Sequence, residues 1–434
     1  MRHRRLLTAG TVAALAATVL LFGGALRGGS RPPATPIAVS ELASGFAAGD
    51  TVRVVESLEA QVRSAPGDAK ALGSLGLAYQ QRARETADAS YLTKSEVALR
   101  RALAVAPHDP TTTEGLAALA LSRHRFRDAL VLARRAQALS PGSTRPPALV
   151  GDALVELGRY DAAFAAFDEL AARKPGLPAY SRVAYGRELL GHRAAAVEAM
   201  RLAVSAAEGR AEPSAWAHVE LGKLYFGEGD LGAARGEYRA ALASFPGYVF
   251  ALDGLAHVEA ADGHVARAIE LARQATGAVP LPQLVTTLGD LYAVSGRDAA
   301  AHEQYRLIGV IRRLLGANGV RTDLELALFD ADHGLELPRA LAQARRAYAA
   351  RPSIQADDVL AWTLARNGRC MDALHYSRRS LRLGTRDAAF FFHRAIIERC
   401  LGRDADAHRW FGRALELNPH FSLLWSPVAR RYSR

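Results

Sequence analysis

The residue types that carry out chemistry are present in this chain, but they are not spaced as catalytic sites need them. Thirteen histidines are scattered along 434 residues. No two of them form a His-Glu-x-x-His helix face, no glycine-rich run leads into a Lys-Ser or Lys-Thr pair, and no Gly-x-Ser-x-Gly elbow occurs. The sequence therefore predicts no catalytic residue, metal site, cofactor or small-molecule substrate. Gly227-Glu228-Gly229-Asp230 comes nearest to a binding loop, yet glycine there suits the positive φ of a tight turn. What remains is recognition chemistry. Trp216, Val219, Lys223 and Phe226 are followed one period later by Phe250, Asp253 and His257, which sets aromatic anchors beside a few charges, as protein-binding patches do. The alternative use of Trp216 and Phe250 is packing between neighbouring elements. Cys370 and Cys400 are the two cysteines of the chain.

The elements that must position these residues are short paired helices. Between Ala215 and Tyr248 lie Leu221-Gly222 and Tyr225 on one helical face, then Ala234, Tyr238 and Ala241 on a second, closed by Pro246. Proline stops the second helix because it lacks an N–H and clashes with the preceding turn. The skeleton recurs at about 34 residues in both directions, the mark of a repeat array. It resembles the tetratricopeptide repeat family, and the resemblance covers nearly the whole chain after its N-terminal segment. It implies an all-α fold, an α-solenoid of stacked antiparallel helical hairpins, used as a platform for protein or peptide partners. By that resemblance the second, fifth, ninth and twelfth residues of each unit face the groove. In the two central units these are Trp216, Val219, Lys223 and Phe226, then Phe250, Asp253, His257 and Ala260. The family's carboxylate clamp is not supported, because its places in the first two units hold Gly73, Leu77, Thr111 and Glu114.

Composition agrees with helices built on small side chains: 50% hydrophobic residues but only 7% aromatic. The net charge of +11 is partly local, since Arg2, Arg4, Arg5, Arg27 and Arg31 flank one apolar segment and leave +6 for the rest (11 − 5). No basic run with interleaved aromatics appears, so no nucleic-acid partner is expected. Residues 6–26 carry no charge. As a helix they would span about 32 Å, close to a bilayer core. Arginines ahead of an apolar run keep the N-terminus inside and send the following chain across. The expectation is a single-pass anchor with the repeats extracytoplasmic. Its alternative is secretion after cleavage near Gly23-Gly24-Ala25.

The expected organisation is a signal anchor or signal peptide at 1–27, a flexible linker at 28–36, a degenerate capping repeat at 37–68, about ten repeats over 69–421 and a C-terminal cap at 422–434. The first clear unit is overlong, with its excess at Gln80 to Tyr91 expected to protrude or to lengthen its helices. Unit 282–320 should contain either a long second helix, stopped at Gly316-Ala317-Asn318-Gly319, or an irregular joint there. Cys370 falls at the start of one unit's second helix and Cys400 at the end of the next unit's first helix. Stacked antiparallel hairpins bring these places together, so the pair is a disulfide candidate, with two buried free thiols as the alternative. Function follows as a non-catalytic scaffold or adaptor outside the cytoplasm. An assembly or quality-control factor for an envelope enzyme and a cytoplasmic regulator are the other readings.

Overall fold

A computed structural model describes residues 50–433 apart from residue 87. The apolar run at 6–26, the linker at 28–36 and the start of the expected capping repeat lie outside the described residues. The described residues belong to one compact unit. Among the described residues there are 22 helices and no strand. No helix among them is long and apolar enough to cross a membrane.

Helix α1 (Asp50–Ser64) precedes ten hairpins. These are α2 (Ala69–Thr86) with α3 (Ser90–Val105), α4 (Pro110–Ser122) with α5 (Phe126–Leu139), α6 (Arg145–Glu156) with α7 (Tyr160–Arg173), α8 (Leu177–Leu189) with α9 (Arg193–Ala207), and α10 (Ala211–Gly227) with α11 (Leu231–Ser244). The series continues through α12 (Val249–Ala261) with α13 (Val265–Ala278), α14 (Pro282–Val294) with α15 (Asp298–Ala317), α16 (Asp323–Asp332) with α17 (Leu337–Ala350), α18 (Ile354–Arg366) with α19 (Cys370–Ser380), and α20 (Ala388–Cys400) with α21 (Asp404–Leu417). Helix α22 (Ser426–Tyr432) closes the array. Each helix packs chiefly on its neighbours in sequence, as in a solenoid. Alanines form the seams within hairpins: Ala234 and Ala241 of α11 are fully buried, and Tyr238 between them fills the space that Gly222 of α10 and Gly254 of α12 leave open.

Two irregular places are resolved by their packing. Helix α2 continues to Thr86, and instead of protruding it buries Gln80 and Gln81, the latter reaching Glu212 at the start of α10. Helix α15 runs for 20 residues, and the chain then turns at Gly319, whose φ is 74°.

The larger feature is a seam between repeats far apart in sequence. The turns inside four successive hairpins meet the loops between later hairpins. His124 Nδ1 lies 2.7 Å from Arg321 O, Tyr160 OH accepts from Ile354 N at 2.7 Å, Thr385 Oγ1 donates to Leu189 O, and Asn418 Nδ2 donates to Phe226 O at 2.8 Å. These contacts bridge 192 to 197 residues, so one superhelical turn of the solenoid rests directly on the next. The seam has an apolar interior as well, since Ile354 and Phe390 are buried in the same cluster as Leu149, Phe167 and Leu189. Arg351 adds an ion pair across it to Glu156 at 3.4 Å.

Candidate functional site

Stacking one turn on the next converts the open groove of a solenoid into internal clefts. The first, of about 490 Å³, lies between α8, α10 and α12 on one side and the Thr385–Phe390 segment on the other. Lys223, Phe226, Phe250, Asp253 and His257 all line it. Phe226 meets the His257 ring edge-on at 6.0 Å, and Phe250 meets Tyr248 at 5.4 Å. Lys223 is exposed and holds Glu220 at 2.7 Å. His257 Nε2 sits 3.2 Å from Thr287 Oγ1 and 4.0 Å from Asp253. Burial pushes the Asp253 carboxyl up, against the opposing pull of His257 and the Thr287 hydroxyl.

Two residues of the sequence-derived patch fall elsewhere. Val219 is 1% exposed and belongs to the core of the central repeats, where α10 packs against α9, α11 and α12. Its assignment to the groove surface is corrected accordingly. Trp216, half-buried, lines a separate cleft of about 270 Å³ with Arg182, Met200 and Glu220. The cysteines, in contrast, are brought together as a disulfide with Cα atoms 6.1 Å apart.

The seam supplies residues that repeat spacing does not reveal. Arg386, Asp387 and Phe390 line the first cleft from the second superhelical turn, together with Glu188 and Arg193. Burial raises the Glu188 carboxyl from 4.5 to about 7, with Arg193 pulling it down and Asp387 pushing it up. A carboxyl raised on folding binds its proton more tightly in the native state. Its stabilising contribution is then present at acidic pH and is lost as pH rises from 4.5 through about 7. Glu188→Gln should remove that loss, so the melting temperature of the variant relative to the parent should rise between pH 5 and pH 8. A difference that stays constant over that range would refute the assignment.

A second cleft, of about 660 Å³, continues from the first through His257 and Phe421. Its walls are mainly apolar, from Leu281 of the α13–α14 loop, Ile308 and Leu315 of α15, and Leu326 and Phe329 of α16. At its polar edge His333 Nε2 contacts Asp290 at 2.7 Å, and Tyr305 donates to the same carboxylate at 2.8 Å. Burial opposes protonation of His333, but the bond and charge of Asp290, the Phe329 carbonyl and the Asp332 charge together outweigh it, leaving the imidazole above its ordinary value. The overlong α15 is the sequence signal closest to this cleft. Among the described residues no three His, Cys, Asp or Glu side chains are placed to hold a metal ion.

A stack of helical hairpins with clefts on its inner face defines a helical-repeat protein. Residues 359–420, from within α18 to just past α21, match the tetratricopeptide repeat family model. No curated protein matches the sequence. The structure is similar to a crystal structure of MamA, at 16% identity and a TM-score of 0.30, over 37% of this chain and 93% of that one. It is also similar to the Cut9 and Hcn1 hetero-tetramer of the APC/C, at 16% identity and 0.39, over 89% and 73%. PilW, a widely conserved type IV pilus biogenesis factor, is similar at 16% identity and 0.40, over 46% and 92%.

Proposed function

We propose that this protein is a non-catalytic scaffold that binds protein or peptide partners in its internal clefts, outside the cytoplasm, held by residues 6–26. The observation that carries the binding reading is the first cleft. It gathers two aromatic anchors, Phe226 and Phe250, with cationic Lys223 and Arg386 and the buried carboxyl of Asp253, from repeats of both superhelical turns. Aromatic side chains in partly desolvated clefts are where binding energy concentrates. The location is supported by the arginine-flanked apolar run and by the Cys370–Cys400 bridge, since disulfides persist in oxidising compartments.

Two measurements test the reading. A reporter active only outside the cytoplasm, fused after Arg434, should be active, and intact chain in the soluble cytoplasm would sink the location. Partners captured by cross-linking from membranes should be held at least 2 kcal/mol, or about 30-fold, less tightly by Phe250→Ala. If Phe250→Ala lowers the melting temperature while leaving capture unchanged, Phe250 is a packing residue and the cleft is not the partner site.

A further inference from the structure

The connection between α21 and α22 does not stay on the outside of the molecule. Residues 418–425 are non-helical, and they pass from the turn of the α10–α11 hairpin into the space between the two superhelical turns. Asn418 anchors the passage through its amide on Phe226 O. Beyond it Phe421 lines both clefts, Ser422 and Leu423 line the second, and Leu423 packs against the apolar core of the central repeats. The segment keeps its shape through bonds of its own: Asn418 Oδ1 accepts from His420 N at 2.8 Å, and Ser422 Oγ accepts from Trp425 N at 3.2 Å. The chain thus lays an aromatic and an aliphatic side chain, two residues apart, along the inner walls.

We infer that the two clefts form one interaction surface for an extended peptide segment carrying an aromatic and an aliphatic residue two positions apart, and that Asn418–Leu423 holds this surface until such a segment displaces it. The inference rests on the scaffold reading and deepens it. The walls fit that chemistry: Phe226 and Phe250 line the first cleft with Phe421, and Leu281, Leu326 and Phe329 line the second with Leu423. A tethered segment competes at the high effective concentration of a short linker, so the apparent affinity of any partner is lowered by the fraction of time the segment is seated.

The test uses the full chain and a fluorescent peptide of residues 416–425. The Phe421→Ala, Leu423→Ala double variant should bind the peptide at least tenfold more tightly than the parent, and adding Phe250→Ala should remove the gain. Equal affinities, or binding by neither, would overturn the inference. Because Phe421 also packs, tilted, against Phe392 at 5.4 Å, a photo-reactive phenylalanine analogue at position 421 of the otherwise unaltered chain supplies an independent readout. It should cross-link to α12 or α14, and added peptide should suppress the product. Cross-links confined to α20, with or without peptide, would overturn the inference, as would a dimer formed by exchange of C-terminal segments, which makes a second copy the occupant. Membrane partners that depend on Phe250 but ignore the double variant would overturn it while leaving the scaffold reading standing, whereas partners indifferent to both remove that reading too.

Discussion

Gly158→Ala and Gly191→Ala, combined in one chain, are expected to part the two superhelical turns. Both glycines sit in hairpin turns at φ 69° and 73°. A Cβ on Gly158 would lie 2.4 Å from Pro352 O, and one on Gly191 would lie 2.4 Å from Gly384 O. Left-handed backbone costs an alanine about 1–2 kcal/mol wherever it occurs. Gly296, at φ 73° with nothing near its missing Cβ, isolates that cost and serves as the control. At the seam the added methyl meets a backbone carbonyl, which cannot swing away as a side-chain tip does. The seam must open, taking with it the buried Ile354 and the Tyr160 hydroxyl bond to its amide. The double variant should therefore show a larger radius of gyration by small-angle scattering and fast hydrogen exchange at Ile354, while Gly296→Ala shows neither. Matching behaviour of the double variant and the control in both measurements would mean that the seam does not govern the shape.

The second large effect concerns the disulfide. Cys370 and Cys400 are separated by 30 residues, for which loop closure in the unfolded chain corresponds to about 3.5 kcal/mol. In a solenoid each repeat is stabilised by itself and by its neighbours, so the loss should be local. Reduction, or Cys370→Ser with Cys400→Ser, is expected to release α19 to α22 before the rest of the chain. Trp362, Trp410 and Trp425 report on this region, leaving Trp216 to report on the centre. Urea titration followed by fluorescence should split into two steps after reduction. A single step with an unchanged midpoint would show that the bridge contributes little. Labelling of denatured, unreduced protein from exported material should find no reactive thiol, and two per chain would exclude the bridge. The same change should reach the clefts, because α20 and the Asn418–Leu423 segment belong to the part released.

How far the molecule is legible in its sequence depends on the range of the forces involved. The helical hairpins are legible because each rests on contacts within one period: Gly222 against Tyr238, Ala234 and Ala241 in the hairpin seam, Gly229 in the turn. The meeting of Cys370 with Cys400 is of the same kind, since the start of one second helix and the end of the next first helix are neighbours in any such stack. Aromatic and charged positions of α10 and α12 could be placed on one face by spacing, and Phe226, Phe250, Asp253 and His257 do line one cleft. Val219 shows the limit of that method, because spacing gives the direction of a side chain but not the neighbour that covers it. The seam was beyond its reach altogether. Contacts across 192 to 197 residues depend on small rotations between successive repeats, accumulated over a full turn, and no local pattern encodes their sum. Only the tertiary structure decides that Arg386 and Phe390 share a cleft with Glu188, and that Phe421 enters the clefts as well as the terminal cap.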